Sequence, residues 1–183
     1  MKYLGKLLTI VLSTLILSCA STGKTSVLYS DQYDPQIDIT NVMIFPYGEI
    51  KIPGKWIKTS RNEISGQIFF IGVDSTKVAI ALQKWDNYEF SYNNPEITPE
   101  NFVQKFYEWD ANYLKTKTNG QIKILTENKE KNYLVWSLER DNHSIEYFLF
   151  GLKEKTAYNL NISNDNWDEA KKIDFLQKLF IIE

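Results

Sequence analysis

His143 is the single histidine of the chain, and it stands in Asp141-Asn142-His143 within a few residues of Glu139 and Glu146. An imidazole beside carboxylates could serve as a general base or a metal ligand. Without a cysteine or a second histidine as partner it cannot complete a usual zinc site, and its polar neighbours predict a solvated hairpin turn. Glu139 and Glu146 could instead flank a cleft and hydrolyse an envelope glycan through two carboxylates, which is the alternative reading of function. The run Asn164-Asp165-Asn166-Trp167-Asp168-Glu169 is oxygen-rich, but it lacks the glycine and distal glutamate of a calcium loop and reads as a helix cap. There is no Gly-x-Ser-x-Gly elbow and no glycine-rich phosphate loop. The expectation is a non-enzyme with no catalytic residue, no cofactor and no metal.

Aromatic residues are the other source of specific contacts. The five tryptophans are Trp56, Trp85, Trp109, Trp136 and Trp167, and with many tyrosines they could build a sugar- or peptide-binding platform. Trp109 and Trp136 sit on apolar stripes and are expected to be buried. Trp85, at a strand end beside Asp86-Asn87-Tyr88, is the candidate exposed contact, together with Tyr88.

Cys19, the only cysteine, closes Ile16-Leu17-Ser18-Cys19 after the charged residues Lys2 and Lys6 and the apolar run Leu7 to Leu17. Eleven residues rise about 16 Å as a helix, roughly half a hydrocarbon core, so this is no membrane span. Residues 1–18 resemble a bacterial lipoprotein signal peptide. That resemblance implies a diacylglyceryl thioether on Cys19, cleavage before it, and palmitate or a similar acyl chain on the new amino terminus. Two or three chains would anchor the protein to the membrane firmly. Ala20, rather than aspartate, follows the cysteine, and this resemblance favours the outer membrane over the inner. With Cys19 alkylated, no thiol remains for a disulfide. Loss of residues 1–18 moves the net charge from −2 to −4, and the mildly acidic chain has no basic stripe, which excludes nucleic acid as a partner. Asp74-Ser75-Thr76 resembles an acceptor sequence for O-glycosylation of exported proteins, with Ser75 as the acceptor.

The elements that position these residues follow from the pattern. Residues 19–38 are polar and unpatterned, and predict a flexible tether of roughly 25 Å carrying one domain, 39–183. Strands are expected at Asn41 to Phe45, Glu49 to Ile52, Gly66 to Gly72 and Lys77 to Trp85, with Pro53-Gly54-Lys55-Trp56 as a turn. The third and fourth are apolar on both faces and should be central and covered above and below. Thr98-Pro99-Glu100 predicts the start of a helix whose stripe is Phe102, Phe106, Trp109 and Tyr113. A meander of strands follows from Gln121 to Ser163, its last strand expected to be solvated on the face of Asn159 and Asn161. A second helix, capped near Asp165, runs to about Phe180.

This order defines an α+β domain, an antiparallel sheet meander with two main helices packed on it. Glu49-Ile50-Lys51-Ile52-Pro53 with Trp56, the two-faced hairpin, the mid-chain helix and the closing Asp165-x-Trp167 with Phe175-Leu176 and Phe180 resemble the PsbP-like α/β/α sandwich. The resemblance covers about Gly48 to Ile181. It implies an accessory or adaptor role, and no family site residue carries over. The functional expectation is a lipid-anchored envelope lipoprotein, a non-enzymatic binding or accessory module for another envelope protein or a small ligand.

Overall fold

The computed structural model describes residues 27–181, so the expected signal segment and Cys19 lie outside the described residues. Strands β1 (Leu28–Asp34), β2 (Ile39–Phe45) and β3 (Gly48–Pro53) form an antiparallel three-stranded sheet. Strands β4 (Trp56–Arg61), β5 (Ile68–Gly72), β6 (Lys77–Lys84), β7 (Gln121–Asn128), β8 (Tyr133–Glu139), β9 (Ile145–Lys153) and β10 (Thr156–Ser163) form a second sheet in the order β4-β5-β6-β10-β9-β8-β7. Helices α1 (Phe102–Thr118) and α2 (Glu169–Ile181) pack on opposite faces of this larger sheet. The domain is therefore α+β, with the meander running from β7 to β10.

Alternation along the central strands divides the core in two. In β8 and β9, Tyr133, Val135, Tyr147 and Leu149 face α2 and the small sheet, where they meet Val42, Ile44, Ile50, Ile52, Leu176 and Phe180. Their neighbours Leu134, Trp136, Leu138, Phe148 and Phe150 face α1 and pack on Phe102, Val103 and Phe106. Phe106 stacks on Phe150 with centroids 4.1 Å apart, and Trp136 on Phe148 at 4.2 Å. Without a disulfide, apolar burial on both faces is the principal force holding the layers.

Two strands lie where turn or tether was expected. β1 falls inside the segment 19–38 expected to be an unpatterned tether, pairing Leu28 with Phe45 through to Asp34 with Ile39. As an edge strand it buries none of its residues fully, and its sequence carries no clear alternation. β4 is likewise an edge strand with Trp56 as its one fully buried residue. Thr40, 1% exposed, joins the two sheets: its hydroxyl donates to the Gly54 carbonyl at 2.8 Å and accepts the Trp56 N–H at 3.0 Å.

Other differences have equally local causes. β10 lies between β6 and β9, so Asn159 and Asn161 are half-buried rather than solvated. β6 is covered on both faces, but Phe69 and Ile71 of β5 are only half-buried, because α1 packs over β7, β8 and β9. Helix α1 begins at Phe102, after a turn in which the Asn101 side chain accepts the Thr98 N–H at 2.9 Å. Asp168 caps α2, accepting the Lys171 N–H at 2.7 Å. The oxygen-rich run before it is a turn in which Asn164 accepts the N–H groups of Asn166 and Trp167 at 2.5 and 2.6 Å and donates to Thr76.

Candidate functional site

A concave site forms where three separate parts of the chain meet the C-terminal end of α2. Its volume is about 650 Å³. Tyr47 in the β2–β3 turn, Tyr158 on β10, and Leu179 and Phe180 on α2 give it an apolar, aromatic floor. Lys51 on β3, Lys131 in the β7–β8 turn and Lys153 at the end of β9 supply a cationic rim, with Glu49 and Glu154 as the acids. Lys51 is paired with Glu49 at 3.4 Å. Among the described residues no carboxylate is paired with Lys131 or Lys153. The Lys153 ammonium instead lies 5.2 Å from the Phe180 ring centroid and 5.8 Å from that of Tyr158.

The floor exists because of Gly151. A Cβ at that position would come within 2.5 Å of the Phe180 ring, so only glycine lets Phe180 lie against β9. Tyr133 and Tyr158 meet the same ring edge-on, at 5.5 and 5.1 Å, and leave it no room to retreat. The result is an aromatic floor under ammonium groups, suited to a ligand or protein segment that combines an apolar body with an anionic group. A second concavity, about 720 Å³, lies between the start of α1 and the β7–β8 turn. Its wall is largely polar, with Glu100, Glu127 and Glu130 opposed by Lys129.

The residues singled out in the sequence occupy other places. His143 sits at the β8–β9 turn with φ 60°, its side chain 87% exposed and Nδ1 3.2 Å from Glu139. Glu146 is clamped by Arg140, whose guanidinium donates to both carboxylate oxygens at 3.0 and 2.9 Å. Glu146 is thus paired with Arg140 and Glu139 lies beside His143 at the same hairpin, and neither glutamate lines the concavities above. Among the described residues no group of three His, Cys, Asp or Glu side chains is placed to hold a metal ion, and no helix is long and apolar enough to cross a membrane.

The aromatic expectations need correction. Tyr88 is 7% exposed, packed 4.4 Å from Phe106, and Trp85 is half-buried edge-on to Phe102. Neither is an exposed contact, because the segment after β6 folds back over α1. Trp109, expected inside, is 39% exposed and covers the outer side of Phe90 and Phe106. Ser75 is exposed at the β5–β6 turn with φ 66°, whereas the neighbouring Thr76 is fully buried. Asp74 accepts from the Trp167 indole at 2.8 Å, and its hydrogen bond from Thr76 holds its carboxyl below the usual range.

One acid escaped notice. Asp110 follows Phe102 and Phe106 at four-residue spacing on the sheet-facing side of α1, and desolvation pushes its carboxyl up to about 6. Burial, with a contribution from Asp110, also raises the Tyr88 hydroxyl well above its ordinary range.

No family model matches the chain, and no curated protein matches it. Among solved structures it is similar to the solution structure of cyanobacterial PsbP (CyanoP) from Synechocystis sp. PCC 6803, at 13% identity and a TM-score of 0.35, covering 89% of this chain and 92% of that one. The sequence resemblance is to the same family. At that superposition the likeness carries no argument about function, and the α+β architecture stands on the elements described above.

Proposed function

We propose that the protein is a non-enzymatic binding module of the bacterial cell envelope, lipid-anchored through Cys19 at the outer membrane, whose cleft takes an anionic group on an envelope protein or small ligand. The observation that carries the binding reading is the convergence of Lys51, Lys131 and Lys153 on the aromatic floor made by Tyr47, Tyr158 and Phe180. A cationic rim over an apolar floor selects for amphipathic anions, since the charge steers and the floor supplies buried area. Anilinonaphthalene sulfonate, which has a sulfonate and a fused ring, is a suitable probe. Its fluorescence should rise on binding the folded protein, and Lys153→Glu should weaken that binding by about tenfold, equivalent to about 1.4 kcal/mol. Unchanged affinity in Lys153→Glu would place the dye elsewhere and remove the support for this cleft.

The anchor has its own test. Cys19→Ser should leave the protein unacylated and no longer fractionating with membranes. Crosslinking of the lipidated protein on intact membranes then reads the partner, and loss of one dominant crosslink in Lys153→Glu would tie that partner to the cleft. Ser75 is the proposed O-glycan acceptor, supported by its exposure at a turn. The intact mass of the exported protein should fall in Ser75→Ala by the mass of a glycan.

A further inference from the structure

The outer face of the three-stranded sheet carries an apolar cluster that the fold leaves uncovered. Leu28 is 66% exposed, Phe45 61% and Met43 44%. Leu28 and Phe45 are direct cross-strand partners, and Met43 is opposite Ser30 one step along the same face, so the three side chains form one patch. They point away from the core, since the alternate residues Val42 and Ile44 are 0% and 2% exposed on the inner side. Farther along the outer face the residues become polar, with Gln32 opposite Asn41. The apolar end is therefore the end at which the chain enters the domain, because Leu28 is the first residue of β1.

We infer that this end of the small sheet rests on the lipid bilayer, with Leu28, Met43 and Phe45 entering the headgroup region. The inference rests on the lipid anchor proposed at Cys19. From Cys19 to Leu28 is nine residue steps, which span at most about 30 Å even fully extended. An acylated Cys19 at the interface thus confines the patch to a shell next to the bilayer, and the patch belongs to the residue held on the shortest leash. Apolar side chains at such a position gain by leaving water for the acyl boundary, as the apolar face of an interfacial helix does. Glu49, the cross-strand partner of Met43, also lines the cleft, so the cleft opens beside this contact rather than on the far side of the domain.

The experiment uses the full lipidated protein in phosphatidylethanolamine–phosphatidylglycerol vesicles. Because Cys19 is alkylated, a cysteine introduced as Met43→Cys is the only free thiol and takes a nitroxide label. Tyr113→Cys, on the exposed side of α1 across the larger sheet, serves as the control. The label at 43 should collide with oxygen several-fold more often than with a water-soluble nickel reagent, and the label at 113 should show the reverse. Equal access to the nickel reagent at both positions overturns the inference. Protection of position 43 from both reagents also overturns it, and points to a second copy of the chain on the patch. The mass of the N-terminal peptide from the same sample reads the anchor separately. A peptide without acyl chains refutes the anchor itself, whatever the label reports.

Discussion

Asp110→Asn isolates the cost of placing a carboxylate on the buried stripe of α1. The side chain occupies the position where Phe102 and Phe106 predict another apolar residue, and those two phenylalanines are fully buried. Desolvation raises its folded-state value to about 6. An aspartate in the unfolded chain titrates near about 3.9. The difference of roughly two units corresponds to about 3 kcal/mol at 1.36 kcal/mol per unit, an upper figure for a group that keeps some contact with water. Because the folded value is the higher one, the stabilising contribution is fully present below about pH 4 and is lost as pH rises through about 6. By about pH 8 the ionised group costs the fold the whole amount.

The asparagine variant keeps the shape and cannot ionise. Its own buried amide carries a polar cost, but one that does not vary with pH. Urea unfolding of both proteins between pH 4.5 and 8 should therefore show the variant gaining on the parent by about 2 kcal/mol across that interval, with most of the change between about pH 4.5 and 6. A difference independent of pH would refute the desolvation argument. So would a carbon-13 titration placing the Asp110 carboxyl near 4, since the carboxyl would then be adequately solvated and its place on the stripe would cost little.

Three further outcomes follow from packing and hydrogen bonding. Gly151→Ala should cost about 1–3 kcal/mol by forcing its methyl against Phe180, and Phe180→Leu in that background should recover part of the loss. Strictly additive losses in chemical denaturation would mean that the two positions do not press on each other. Thr40→Val should cost about 1–3 kcal/mol, chiefly for the buried Trp56 N–H left unpaired, with Thr40→Ser close to wild type in thermal unfolding. Trp136→Phe should be milder than its full burial implies, because the buried indole N–H has no hydrogen-bond partner to lose. A loss above about 3 kcal/mol in urea would show that the ring's packing on Phe148 dominates.

The parts of the fold legible in the sequence are those whose burial is written locally. β6 reads correctly because Val78 to Leu82 are apolar on both faces, and both faces are covered. The edge strands β1 and β4 do not read, because an edge strand is specified by its partner: Leu28–Asp34 is a strand through its pairing with β2, while its composition is that of a linker. Trp109 shows the same limit for a helix. Its spacing from Phe106 matches a buried stripe, but the sheet meets α1 along Phe102, Phe106 and Asp110, so the tryptophan lies at the margin. The cleft was the least legible feature. Lys51, Lys131 and Lys153 come from the middle of β3, the β7–β8 turn and the end of β9, and nothing in their local sequence distinguishes them from other surface lysines.

That pattern also bears on what the cleft can recognise. Each lysine is carried on a separate element, so the cationic rim is correct only when β3, the β7–β8 turn and the end of β9 are all docked against α2. Phe180 is the common contact: it packs on Tyr133 of β8 and Tyr158 of β10, lies under the Lys153 ammonium, and is admitted by Gly151. A ligand bound across the rim would tie these elements together and stabilise the domain by mass action. Phe180→Ala should therefore reduce ligand-induced stabilisation more than the loss of a single rim charge does, because it loosens the floor on which the rim residues are arranged. Lys131→Ala should remove one charge and leave the floor unchanged. If the two variants reduced the thermal shift produced by the sulfonate dye equally, the rim would be acting as independent surface charges, and the cleft would have no preorganised geometry to recognise a partner.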